Sequence, residues 1–288
     1  MSPFIRVLVL GLLIAGRVAS AQSAAGTTPA AAASQAPPAA AAPVSLSPAQ
    51  MEVFLTKARI VSTRSVSTGV TDSRRATLSD GVVTHDAHIQ VVDQAMPVFQ
   101  AGKVTELNFK DTYRFNIAAY HVARLLGLDN VPMSVERRVD TKTAAVTWWV
   151  DDVQMDEKER LRLKSPGADP DRTSKQVQVM RIFDELIQNR DRNQGNILWT
   201  KDGKMWLIDH TRAFRLGPDL IKPEQLTRCE RSLLDHLRGL TADTIMAATK
   251  RSLTKAEAGA LIKRRDAIVK HYDALIGERG EAAVLFTL

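Results

Sequence analysis

The stretch from Ser174 to Asp209 leaves the chain few folds to choose from. Apolar Val177, Met180, Phe183, Leu186 and Ile187 recur at helical spacing and predict an amphipathic helix over about Ser174–Gln188. That helix runs into a polar loop, Asn189–Gly195. Two short strands follow, Asn196–Thr200 and Met205–Ile208, joined by Lys201-Asp202-Gly203-Lys204. A buried helix, a polar loop and a hairpin in this order bring Asp191, Asn196 and Asp209 to the mouth of one strand pair. Magnesium needs such a place: a few hard oxygen donors, with room left for water and phosphate oxygens. Phosphoryl transfer asks for little more than positioning, charge neutralisation and one carboxylate to orient the acceptor hydroxyl.

Taken alone, Asp191–Asn196 also has the composition of a plain turn, because Asp, Asn and Gly favour such connections. The order Asp191-x-Asn193-x-Gly195 overlaps a calcium-loop pattern, but the acid at its third ligand position and the glutamate at its twelfth are absent. The upstream helix and the placement of Asp209 favour a metal–phosphate site instead.

The start of the chain reads as a targeting segment. Arg6 is followed by the apolar run Val7–Ala15 and then Ala19-Ser20-Ala21, a small-residue cleavage pattern before Gln22. The run is far shorter than the ~20 residues that cross a bilayer. Residues 1–21 are therefore expected to be a signal peptide, and the mature chain to be exported, periplasmic or secreted, with no stable membrane anchor. Residues 22–46, rich in Ala and Pro, carry too little apolar bulk to offset ordering entropy and read as a disordered linker. The formal charge of +7 is scattered, without the dense basic run a nucleic acid would require, so no nucleic-acid partner is expected. The single cysteine, Cys229, excludes an intramolecular disulfide.

Beyond residue 46, Ser47 and Pro48 mark a helix start. Strands are expected over Ala58–Val66, Arg74–Leu78 and Val82–Val92, with Ser79-Asp80-Gly81 as a hairpin turn. A helix from Asp111, taken as its cap, to Leu126 ends at Gly127. A hairpin over Ser134–Val139 and Ala144–Asp151 follows, then an exposed helix from Met155 to Lys164. The remainder is helical: about Thr227–Leu237, Ala242–Lys250 and Lys255–Ile276. A β-rich front and a helical rear make the fold α+β, with a seam near Val150.

The polar loop then becomes more specific. Asp191-Arg192-Asn193-Gln194-Gly195-Asn196, followed by Leu207-Ile208-Asp209-His210, resembles the D-R-H-x-x-N and D-F-G pair of phosphatidylinositol 3- and 4-kinases. It is similar also to HipA-type kinases and to the secreted Golgi kinases, all of an atypical kinase superfamily. Ala118-Ala119-Tyr120 through Leu128, ending at Val131-Pro132, looks like the lobe-spanning helix of the secreted kinases and their bacterial relatives. The resemblance covers about Ala58–Leu240. It implies a two-lobed, protein-kinase-like fold with a β-rich N-lobe over 47–150 and a helical C-lobe over 151–288. It further implies ATP or another nucleotide, and Mg²⁺ or Mn²⁺, as cofactors. By the same resemblance Asp191 is the catalytic aspartate, and Asn196 and Asp209 are metal ligands. Trp149 and Asp151, in the run Trp148-Trp149-Val150-Asp151, fall at the adenine-holding hinge, and Gly69 falls in the phosphate-covering turn.

The departures matter as much. Kinases carry a strand lysine in a V-A-I-K run that pairs with a helix glutamate. Here the run is Ala87-His88-Ile89-Gln90, and the matching helix position is Asn116. Two amides replace the ion pair, and they are expected to face one another across the inner wall of the N-lobe. Lys103, Lys110 and Arg74 are the candidates for a substitute cation. Asn193 replaces the loop histidine of the family. Trp148-Trp149 reads more readily as core or cross-strand packing than as a base-stacking shelf, and His210 as a structural histidine rather than a catalytic base. Arg192, Arg212 and Arg215 suit holding Asp191, binding phosphate or pairing at the surface. Two functions stay open: an active phosphotransferase on a protein, lipid or small-molecule hydroxyl, or a pseudokinase acting as a binding or scaffold protein.

Overall fold

The structure, a computed structural model, describes residues 46–66, 73–102 and 104–288. The expected signal peptide, the linker up to residue 45, Gly69 and Lys103 lie outside the described residues. Leu46, at the end of the expected linker, already packs against the sheet.

Helix α1 (Pro48–Lys57) begins in a capping box: the Gln50 N–H donates to Ser47 Oγ, and the Gln50 side chain accepts from Ser47 N–H. Strands β1 (Arg59–Ser65), β2 (Ser73–Ser79) and β3 (Thr84–Gln90) follow, and two later strands, β6 (Ser134–Val139) and β7 (Lys142–Trp148), join them. Together they form a five-stranded antiparallel sheet in the order β1-β2-β3-β7-β6. Alternation along these strands separates two faces. Ala76, Leu78, Ala87, Ile89 and Val146 bury against Phe54 and Leu55 of α1 on the outer face. Arg75, Thr77, Asp86, His88 and Gln90 therefore share the inner face.

Between β3 and the next helix the chain makes a hairpin, β4 (Asp93–Ala101) and β5 (Val104–Thr112), that the sequence analysis did not anticipate. Gly102, at φ +60°, supplies its left-handed turn residue. The hairpin corrects one expectation: Asp111 does not cap a helix. It lies in β5, buried, while helix α2 (Arg114–Leu125) starts after Tyr113 with no side-chain cap. Gly127, at φ +73°, ends α2, and a Cβ there would come within 3.1 Å of the His236 ring. Tyr113 and Ile117 pack on Ala145 of β7, while Phe115, Ala118, Ala119, Val122 and Ala123 join the larger C-terminal core. One helix thus serves both lobes.

A second, three-stranded sheet holds β8 (Val153–Asp156), β9 (Ile197–Thr200) and β10 (Met205–Leu207) in the order β10-β9-β8. The helix expected from Met155 therefore starts later, as α3 (Glu157–Arg162). Met155 pairs with Trp199, and that strand pairing overrides the local charge pattern. Helix α4 (Pro170–Ile187) buries Val179, Ile182, Phe183, Leu186 and Ile187, so its apolar face is rotated slightly from the expected set. Three helices complete the C-lobe: α5 (Arg231–Gly239), α6 (Ala242–Thr249) and α7 (Lys255–Arg279). A short α8 (Glu281–Val284) leads to β12 (Leu285–Phe286), which pairs in parallel with β11 (Cys229–Glu230). Burial pushes the Cys229 thiol up to about 12, which leaves it unreactive. Among the described residues no helix is long and apolar enough to cross a membrane.

Arg264 on α7 is fully buried and donates to three backbone carbonyls, those of Leu186, Arg215 and Gly217, at 2.8, 2.9 and 2.6 Å. Burial lowers its pKa to about 10, so it stays charged at neutral pH. It joins the end of α4 to the segment that follows Asp209. Arg264→Leu leaves those carbonyls without donors and is expected to cost about 2–4 kcal/mol, read as a lower urea midpoint at unchanged slope.

Candidate active site

The last turn of α4 and the loop after it are tied into one unit by Arg192. Its Nε and Nη2 donate to Asp184 on α4 at 3.0 and 2.9 Å, and its Nη1 donates to the carbonyls of Asn196 and Ile208 at 3.1 and 2.8 Å. Nη2 also meets His210 Nε2 at 2.9 Å. A guanidinium only donates, so His210 Nε2 accepts and the neutral imidazole keeps its proton on Nδ1. Burial first, and then the charge of Arg192, hold the His210 pKa well below its ordinary value. His210 is structural, and Arg192 is neither a surface ion pair nor a phosphate ligand.

The loop itself is shaped by short amide bonds. Asn189 accepts the Asp191 N–H at 3.2 Å, and Asn193 accepts the Gly195 N–H at 2.9 Å. Asn196 Nδ2 donates to the Asp191 carbonyl at 3.4 Å, which leaves Oδ1 free to accept. The Ile208 N–H donates to the Asn196 carbonyl at 3.1 Å, placing Asp209 one residue beyond the strand neighbour of Asn196. Asp209 is exposed and held at φ +53°, a left-handed conformation that Asp tolerates better than most residues. The three residues named from the sequence therefore share one corner.

Asp191 has an environment of its own. Burial raises its pKa, Arg212 opposes that rise, and the charges of Asp209 and Asp111 add to it. Arg212 donates through Nε to Asp111 at 2.8 Å and reaches Asp191 with Nη1 at 3.4 Å. Asp111, mistaken for a cap in the sequence, is the anchor of that arginine. Arg215 pairs with Glu106 on β5, and the ring of Phe109 lies beneath both guanidiniums. The unanticipated β4–β5 hairpin thus forms one wall of the site.

Gln90 and Asn116 meet as expected: Asn116 Nδ2 donates to Gln90 Oε1 at 2.6 Å. Asn116 Oδ1 in turn accepts the His210 N–H at 2.7 Å, linking β3, α2 and the residue after Asp209. Of the three candidate substitute cations, Lys103 lies outside the described residues and the other two are engaged elsewhere. Arg74 pairs with Asp140, and Lys110 pairs with Glu257 of α7. The inner face carries the cation Arg75 instead, with His88 beside it on the paired strand. The His88 pKa is lowered by burial, against the opposing pull of the Asp209 charge. Trp148 stacks on His85 and meets Phe54 edge-on, as packing. Asp151 pairs with His85 at 2.8 Å, so its carboxylate is turned to the outer face. Trp149 lies under the Arg75 guanidinium, 4.1 Å from ring centre.

No protein-family model matches the chain, and no curated protein matches it. Solved structures do. The chain is similar to Fam20 of hydra, solved with sugar, at a TM-score of 0.64 and 16% identity, over 83% of this chain and 92% of that one. It is similar to the Golgi casein kinase with Mn/ADP bound at 0.59 and 15%, over 82% and 77% of the two chains. The Helicobacter pylori proinflammatory kinase CtkA matches at 0.51 and 13%, over 78% and 98%. The fold is that of the atypical kinases. A β-sheet-rich region and a helical region make up this fold, as the expected fold class has it. Besides the β4–β5 hairpin, three features were missed: the Arg192 clamp, the Asp111–Arg212 anchor and the Arg75 stack. Asp184, seven residues before Asp191 on the buried helix, was the available signal for the first.

The buried neutral histidine makes stability pH-dependent. An unfolded His210 takes a proton near its ordinary value of 6.5 and the folded one does not, so stability falls as pH drops through that value. His88 and His121 act in the same direction. His210→Asn is expected to flatten the slope of unfolding free energy between about pH 7 and 5.5, by at most ~1.4 kcal/mol per pH unit. Urea titrations across that range check it, and an unchanged slope would contradict the assignment.

Proposed function

We propose that the chain is an exported kinase-like phosphotransferase that uses a nucleotide and a divalent cation to phosphorylate a hydroxyl on a protein, lipid or small molecule. The observation that carries this reading is the corner held by Arg192, where Asp191, Asn196 and Asp209 come together. The donors fit a hard cation: an amide oxygen and a carboxylate, with a second carboxylate beside them. Among the described residues no three His, Cys, Asp or Glu side chains converge as a ready-made metal cage. Two protein ligands suit Mg²⁺ or Mn²⁺ that shares its other positions with phosphate and water. When bound, the cation supplies charge neutralisation on the transferring group. Asn196 is pre-oriented by its bond to the Asp191 carbonyl. Asp191, made more basic by its surroundings, accepts the hydrogen bond of the acceptor hydroxyl, and Arg212 limits its rotation. The targeting segment supports a site of action outside the cytoplasm, and the scattered positive charge favours no nucleic-acid partner.

The neutral Gln90–Asn116 bond favours a second reading, a pseudokinase that binds without turnover. That pair preserves the link between the lobes but brings no positive charge to a phosphate.

Unfolding followed with Mn²⁺ and ADP, together with transfer from ATP, separates the readings. Mn²⁺·ADP at a hundredfold excess over its dissociation constant should stabilise the chain by ~2.7 kcal/mol. Asp209→Asn should abolish that gain. Asp191→Asn should keep the gain and lower transfer roughly 10²- to 10⁴-fold. Equal metal response in the wild type and Asp209→Asn would refute the site. Binding without transfer in the wild type, with transfer gained in a Gln90→Lys/Asn116→Glu double variant, would establish the second reading.

A further inference from the structure

The inner face of the N-lobe sheet has an unusual lining where a base would rest. Pairing sets Arg75 opposite His88 and Thr77 opposite Asp86, all on that face. Trp148 is on the outer face, so the next residue, Trp149, turns inward as β7 leaves the sheet for β8. Trp149 sits in the short connector between the two sheets, the place the kinase resemblance gives to the nucleotide base. Its indole is already covered. The Arg75 guanidinium lies 4.1 Å from the ring centre, while its Nε and Nη2 hold Asp86 Oδ2 at 2.6 and 2.5 Å. Thr77 donates to the other Asp86 oxygen at 2.7 Å. A planar cation, fixed at its edge by a carboxylate, thus occupies one face of the aromatic ring. The Arg75 side chain is 30% exposed, so water reaches it and it can be displaced.

We infer that Arg75 sets the affinity of the cleft for the base of its nucleotide, by competing with that base for the face of Trp149. The inference rests on the nucleotide reading above and adds to it the residue that discriminates the base from the phosphates. A ligand with phosphates but no base does not meet this competition.

Calorimetry on the whole chain with Mn²⁺·ADP and with Mn²⁺·tripolyphosphate tests it. Arg75→Ala should bind ADP about tenfold more tightly, the size of a lost cation–π stack, with tripolyphosphate affinity unchanged. Asp86→Asn, which loosens the guanidinium without removing it, should give a smaller gain of the same sign. It also covers the case in which Arg75→Ala folds poorly. In a Trp149→Ala background the gain from Arg75→Ala should vanish. Weaker ADP binding by Arg75→Ala would mean that Arg75 caps the base, and weaker tripolyphosphate binding that it holds phosphate. Either overturns the inference. Unchanged ADP affinity overturns it too while leaving the nucleotide reading intact, whereas no binding of either ligand by any variant overturns both.

Discussion

A guanidinium offers five N–H donors in a rigid plane, and Arg192 directs its own to five different groups or atoms of one small region. Asp184 on α4 balances its charge, so the buried ion is paired as burial requires. The carbonyls of Asn196 and Ile208 and the ring of His210 take the rest. Helix end, polar loop, β9 and the end of β10 are thereby held as one body. The residue before Arg192 is Asp191, and the residue after Ile208 is Asp209. The positions of both follow from a bond that neither of them makes.

The second joint is neutral. Asn116 uses its amide in both directions, donating to Gln90 and accepting from the backbone of His210. A single side chain on α2 therefore registers β3 against the corner of Asp191, Asn196 and Asp209. Kinases of the V-A-I-K type make this joint with opposite charges; here its geometry survives while its field does not. The positive charge on the inner face comes instead from a neighbouring strand, at Arg75, where it is balanced by Asp86.

The sequence made the local order of elements legible because periodicity, capping and turn residues are local properties. Ser47, the Ser79–Gly81 turn, Gly127 and the hairpin over 134–148 all declared themselves in this way. The corner of Asp191, Asn196 and Asp209 was legible for a related reason, since a loop and a tight hairpin bring them together over a short span of chain. Long-range partners were not legible. Asp111 looked like a cap because nothing local reveals Arg212, about a hundred residues away. Met155 looked helical because its strand partner, Trp199, is likewise distant in the chain. The β4–β5 hairpin was overlooked although Gly102 marks its turn, because its exposed strands lack the apolar alternation of a buried one.

That hairpin has a mechanical consequence. It is inserted in the N-lobe, yet Lys110 pairs with Glu257 on α7, Glu106 pairs with Arg215, and the Thr112 N–H donates to the Thr211 carbonyl. All three ties lie on the α2 side of the cleft, where α2 itself is embedded in the C-terminal core. On the opposite side the sheets are joined by a short connector that carries Trp149. The hairpin is thus a strut: a segment with little buried surface of its own fastens the chain between β3 and α2 to α7 and to the residues that follow Asp209, so a change that loosens it would be felt at that corner before it is felt in either core.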